Sequence, residues 1–269
     1  MQGPGVSPGP FFMRVLAVAA VLALTGCATL SGDAAPPSRY LAKGVYDARA
    51  HLPPPPAKGS PEAEKDRQTF RATRALEGTP RWTLAQADNV EENILEGFSC
   101  ALGFTPTRQS NPKLAAMLLR VSGDVRSAVA GPKLKYRRPR PYFSEPGNIC
   151  IKRSVGLAMS PDYPSGHSTW GWTVGLILAE AAPDRAEAIL ARARGFGESR
   201  VICGVHNASS VEAGKRNAEG LVAALWTSDA FKADLAEVRA ELDAARAKAT
   251  PPDPARCTAE ANLISTPLP

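Results

Sequence analysis

The 269 residues contain only three histidines, His51, His167 and His206, and two of them stand in dense polar surroundings. His206 lies in "SRVICGVHNASS" (199–210), six residues after Arg200. His167 lies in "YPSGHS" (163–168), where Pro164 and Ser165 read as a helix start with Ser165 as N-cap. Gly166 carries no side chain, so a ligand can approach the backbone there. A helix N-terminus offers unpaired N–H groups and the positive end of a dipole, which together suit an anion. A third stretch, "KLKYRRPRPYF" (133–143), gathers Lys133, Lys135, Arg137, Arg138 and Arg140 around Pro139 and Pro141. The prolines fix the direction of the side chains between them. Arginine binds phosphate oxygens two at a time, and lysine acts as a point charge.

Taken singly, each stretch has a plain structural reading: a capped helix with a buried histidine, or a solvated basic loop. Together they supply what phosphoryl transfer requires. Cations and a helix end neutralise the phosphate, one imidazole attacks, and another protonates the leaving alcohol. His51 sits in a proline-rich stretch and is read as inert.

The order and spacing are Lys133, six residues, Arg140-Pro141; then Pro164-Ser165-Gly166-His167; then Ser199-Arg200, five residues, His206. This resembles the three-part signature of the type 2 phosphatidic acid phosphatase superfamily. "LPPPP", "TRALEGTPRWTLAQAD", "FSCALG" and "YPSGHSTWGWTVGLILAE" resemble, more closely, the bacterial class A non-specific acid phosphatases. The resemblance runs from about Leu52 to at least Leu221. It implies an all-helical, secreted hydrolase of phosphomonoesters that works at acid pH with neither metal nor cofactor. By position it implies His206 as a nucleophile that becomes phosphohistidine and His167 as the general acid. Lys133, Arg140, Arg200, Ser165 and the backbone at Gly166 would bind the phosphate.

One position departs from that pattern. The family ends with His, three residues, Asp, whereas here the run is His206-Asn-Ala-Ser-Ser210. Were the segment helical, Ser210 would share a face with His206 and its hydroxyl could orient the ring. It could not stabilise developing positive charge as a carboxylate does, and Glu212 is turned away. The expectation is therefore a working but slow phosphatase, in which Ser210→Asp raises kcat roughly 10-fold or more. Two alternatives are a vanadate-dependent haloperoxidase, which shares fold and anion pocket, and a non-catalytic lipoprotein that binds an oxyanion. The second rests on Ser210 alone.

The elements that must position these groups read as helices throughout. Apolar spacings of three and four run through Pro61–Gly78, Arg81–Gly103, Asn111–Gly131, Ser165–Pro183, Pro183–Arg200 and Ser209–Lys248, and no alternating strand pattern interrupts them. Asn111 is read as an N-cap. Hydrophobic residues make up 44% of the chain, enough for a substantial core. The fold class is all-α: one helical-bundle domain over 62–250, a Pro-rich N-terminal tether over 27–61, and an extended C-terminal tail over 251–269.

Residues 1–26 read as a lipoprotein signal peptide, with Met13 a candidate start, an apolar run from Val15 to Leu24, and a lipobox-like Leu24-Thr25-Gly26-Cys27. Cys27 is the expected lipidation site. Ala28 after it points to the outer membrane, on the periplasmic side; a soluble periplasmic protein is the alternative. The four remaining cysteines suit disulfides in an exported protein. Cys150 and Cys203 both flank the candidate pocket, which favours pairing them and leaves Cys100 with Cys257. The net charge of +6 comes with only 6% aromatics and no basic–aromatic run, so a nucleic-acid partner is not indicated. The membrane enters only through the lipid anchor, and a homo-oligomer is left open.

Overall fold

The computed structural model describes residues 39–269. Its helices are α1 (Ala48–His51), α2 (Pro61–Thr73), α3 (Pro80–Ala87), α4 (Ile94–Gly97), α5 (Ser99–Leu102), α6 (Pro112–Tyr136), α7 (Val155–Met159), α8 (Gly166–Ala181), α9 (Ala186–Ile202), α10 (Ala208–Leu225), α11 (Asp229–Arg246) and α12 (Pro254–Ser265). No strand occurs among the described residues, so the protein is all-α. None of these helices is long and apolar enough to cross a membrane. The expected signal segment and Cys27 lie outside the described residues.

Helix α8 is the centre of the bundle. Ser165 caps it by accepting from the Ser168 N–H at 3.2 Å, and Val174, Ile177, Leu178 and Ala181 are buried. Two glycines let α9 press against it. A Cβ at Gly175 would lie 2.4 Å from the Ala193 Cβ, and one at Gly171 would lie 2.3 Å from the Phe196 ring. The pairing of 171 with 196 and of 175 with 193 makes the two helices antiparallel, so the start of α8 meets the end of α9. Helix α10 closes on the same end: the Ser165 N–H donates to the Ser210 carbonyl at 2.9 Å. His167, Arg200 and the residues around His206 are thus gathered by backbone packing before any side-chain contact is counted.

Helix α6 runs past Gly131, where its end was expected, through Pro132 to Tyr136. Proline cannot donate to the carbonyl four residues back. That carbonyl, of Ala128, instead accepts from Asn217 Nδ2 of α10 at 3.3 Å. The helix survives its proline and carries Lys133 to the site. Asn111 is the N-cap residue, as expected, and its carbonyl accepts from the Ala115 N–H at 3.0 Å, but its side chain makes no cap hydrogen bond.

Three other expectations are corrected. The stretch Arg81–Gly103 is not one helix. It breaks after Ala87, because the buried Asp88 carboxylate is held by Arg192 of α9 and accepts from Ser199 Oγ at 2.6 Å. The proline-rich segment from Arg39 to Pro61 is not a tether. Tyr40 and Leu41 are buried and donate their N–H groups to Asp124 at 3.0 and 3.2 Å, Leu52 is buried, and His51 stacks on Tyr46. The C-terminal residues are not extended but form α12. Asp253 caps it by accepting from Ala255 N–H at 2.9 Å, and it is stapled to α5 by Cys100–Cys257. The second disulfide is Cys150–Cys203, so both pairings are as expected.

Candidate active site

The phosphate-binding residues proposed from sequence converge. Arg140 is buried on an extended segment and donates from Nε to the Ser160 carbonyl at 2.8 Å and from Nη1 to the Val205 carbonyl at 2.7 Å. Arg200, in the last turn of α9, donates from Nη1 to Asn89 Oδ1 at 2.8 Å. Its Nε is buried with no hydrogen-bond partner, a donor that a buried site leaves unpaired only at a cost. Lys133 donates to the Pro161 carbonyl. Burial first, and Arg140 and Arg200 next, bring its ammonium down to about 7. Burial and Arg140 likewise lower the proton affinity of Arg200. Three buried cations, with Arg140 lowering both of the others, lie beside the N-terminus of α8 and make a field that an anion would relieve.

His206 lies between them, in the turn that follows α9. Gly204 takes a left-handed φ of 76°, and the N–H groups of Val205 and His206 both return to the Arg200 carbonyl at 3.2 Å. The Cys150–Cys203 bridge and a Cys150 N–H to Cys203 carbonyl bond of 3.0 Å hold this turn against the neighbouring loop. The ring is 2% exposed. Its Nδ1 lies 2.8 Å from Asp162 Oδ1, and its Nε2 lies 3.1 Å from Arg140 Nη1. Arginine can only donate, so Nε2 is the acceptor and Nδ1 carries the proton that goes to Asp162. Both neighbours fix the same tautomer. Burial, then Arg140, Lys133 and Arg200, push the imidazole pKa well below its ordinary value.

The orienting group is therefore Asp162, from the loop before α8, and not Ser210. Helix α10 begins only at Ala208, with Asn207 as its N-cap residue. His206 precedes the helix, so the shared-face argument does not apply. Ser210 Oγ instead donates to Asp162 Oδ2 at 2.6 Å and accepts from Arg138 Nη1 at 3.1 Å. Asn207 donates to Asp162 from its backbone N–H at 3.2 Å and from Nδ2 at 2.8 Å. Arg138 sits 3.5 Å from Asp162 Oδ2 and 2.8 Å from Asp66 Oδ2, which places a partly buried cation between two buried carboxylates. Burial raises the Asp162 pKa, while Arg138, Ser210 and Asn207 counter it. With every oxygen occupied, the buried carboxylate is held in one direction.

His167, in the first turn of α8, has a different pair of neighbours. Nε2 lies 3.1 Å from the Asn89 carbonyl and Nδ1 lies 3.0 Å from Glu91 Oε1. Both are acceptors, so the doubly protonated ring satisfies both at once. Burial and Arg200 lower its pKa, with Glu91 and the Asn89 carbonyl opposing. Asn89 and Glu91 follow directly from the break after α3. Arg192 and Ser199 hold Asp88, and the residues after it turn back over the ends of α8 and α9.

A PAP2 superfamily model matches residues 114–232. An acid phosphatase of Zymomonas mobilis is 40% identical over 217 residues, which cover 80% of this chain and 82% of that protein. Non-specific acid phosphatases of Salmonella typhimurium and Providencia stuartii are 37% and 34% identical, over 79% and 85% of their lengths. This chain belongs to the PAP2 superfamily, among its acid phosphatases. Within the PAP2-matched span lie Lys133, Arg140, Asp162, Ser165, Gly166, His167, Arg200, His206 and Ser210. The candidate site also draws on Asn89, Glu91 and Asp66 from outside it. Asp162, Asn89 and Glu91 were missed by the sequence reading. One signal was available for Asp162: it is an acid five residues before His167 in "SPDYPSGH", beside one motif of the site, while the other motif lacks its usual acid at 210.

Proposed function

We propose that this acid phosphatase hydrolyses phosphomonoesters through a phosphohistidine at His206. The single observation that supports this most is the His206 tautomer, fixed with Nδ1–H on Asp162 and the Nε2 lone pair facing Arg140. In the first step Nε2 attacks phosphorus, the P–O bond to the alcohol breaks, and His167 gives its proton to the departing oxygen. Lys133, Arg140, Arg200 and the N–H groups at the start of α8 offset the phosphoryl charge. Asp162 stabilises the positive phosphoimidazole. In the second step water attacks phosphorus, neutral His167 takes its proton, the P–N bond breaks, and phosphate leaves. The carboxylate absent at 210 is present at 162, so the expectation of a slowed enzyme is withdrawn, together with the only support for the non-catalytic reading. Adding a second acid by Ser210→Asp would set two carboxylates side by side, and kcat should fall rather than rise.

In this reading the charge neutralisation comes from Lys133, Arg140, Arg200 and the start of α8. Rapid-quench labelling with a ³²P-phosphomonoester tests the proposal. The expected adduct is stable in alkali, labile in acid, unaffected by EDTA, and missing in His206→Ala, whose turnover falls by about 10⁴-fold or more. An acid-stable adduct, or turnover that requires an added divalent cation, overturns it.

A further inference from the structure

Helix α6 presents a stripe at positions 115, 118, 119, 122, 125, 126, 129 and 133, the spacing of one helical face. The stripe floors a groove of about 830 Å³. Ile94 and Leu95 wall it on one side, and Trp170 of α8 on another. From Ala115 to Lys133 the helix rises roughly 27 Å. Most of the lining is aliphatic, and Leu119 is left 56% exposed.

One end of the groove is the phosphate site itself, because Lys133, Gly166 and Glu91 line both. Which side of the phosphate it adjoins decides its use. In an in-line displacement the leaving oxygen departs opposite the attacking nitrogen. If His206 attacks, the alcohol lies on the side of the general acid, His167. Glu91 holds His167 Nδ1 at 3.0 Å, and Gly166 is its chain neighbour. The groove therefore opens where the leaving group must sit. We propose that it binds the alcohol portion of the substrate, and that the preferred substrates are phosphate esters of extended apolar alcohols rather than of polyols. This rests on the phosphomonoesterase reading above and adds to it the class of alcohol. A small ester would bury little of the groove, whereas an alkyl chain running along α6 would cover its floor.

A series of n-alkyl phosphates from ethyl to hexadecyl, below their micellar concentrations, tests this with glycerol 1-phosphate as the polyol control. Beyond ethyl, chain length scarcely changes leaving-group acidity, so the series reads binding. kcat/KM should rise by roughly two- to fourfold per methylene, as burial of each CH₂ requires. Leu119→Asp, at an exposed position roughly 21 Å along α6 from Lys133, should flatten the rise among the longest members, whose chains reach it, and leave ethyl phosphate turnover unchanged. A flat or falling series in the wild-type enzyme, with ethyl phosphate still turned over, overturns the assignment of the groove alone. An unchanged slope in Leu119→Asp does the same. If neither ethyl nor glycerol phosphate is hydrolysed, the phosphomonoesterase reading fails first and takes the groove with it.

Discussion

His206 and His167 each set Nδ1 against a carboxylate, at 2.8 Å from Asp162 and 3.0 Å from Glu91, yet the two pairs are arranged for opposite protonation states. Around His206 the second ring nitrogen meets a donor, Arg140, and three cations oppose any charge on the ring. Around His167 the second nitrogen meets a carbonyl, and the opposing cation is Arg200. Asp162 has no exposed surface and all its partners are fixed, whereas the Glu91 side chain is 46% exposed. A carboxylate partner therefore does not by itself decide the charge of a histidine. What faces the other nitrogen, and how many cations surround the ring, decides it. In the proposed mechanism this contrast lets the same side chain serve once as neutral nucleophile and once as proton donor.

This contrast can be broken at either histidine. His167→Ala removes the proton donor and leaves the nucleophile. Steady-state rates on alkyl phosphates should fall by about 10²–10³-fold, and those on nitrophenyl phosphate, whose leaving group needs little protonation, should fall much less. Equal losses on both esters would contradict the role of His167.

The smaller effect lies in the pH profile. His167 works protonated and its pKa is lowered, so activity is lost as pH rises through that value. Lys133 adds to the same limb, since its charge is present below about 7 and lost above it. His206 must be neutral, and its strongly lowered pKa keeps it so far into acid. The optimum is acidic on both counts. Lys133→Arg retains the charge at all these pH values, so the alkaline limb of kcat/KM should become less steep while the acid limb stays. An alkaline limb of unchanged steepness would assign that limb to His167 alone.

The parts of the site legible in the sequence are those whose meaning is local. The Ser165 cap, Gly166, and the spacing of Arg200 and His206 depend on neighbours within one turn, and they lie where expected. Asp162 was illegible because its partner is 44 residues away and because the substituted position, Ser210, suggested a loss rather than a relocation. Asn89 and Glu91 were hidden by a helical pattern that runs unbroken through "ADNVEENILEG"; only the buried Arg192–Asp88 pair breaks the helix there. Prolines misled in two directions. The run at 53–56 suggested a tether, although its backbone serves the site: the Pro53 carbonyl accepts from Tyr163 Oη at 2.6 Å, directly after Asp162. In the C-terminal segment they suggested an extended tail, although Asp253-Pro254 is a cap followed by proline at the first helical position.

The central claim is that the orienting carboxylate belongs to Asp162 and that Ser210 serves it. Single-turnover formation of the phosphoenzyme in Asp162→Asn and Ser210→Ala, with inorganic phosphate affinity measured in both, addresses it most directly. Asp162→Asn should slow phosphoenzyme formation by about 10²–10⁴-fold, because the amide cannot hold the Nδ1–H tautomer or offset the imidazolium, while phosphate still binds. Ser210→Ala should slow it only several-fold, by removing one of the hydrogen bonds to Asp162. A near wild-type rate in folded Asp162→Asn, together with a collapse in Ser210→Ala, would contradict the account.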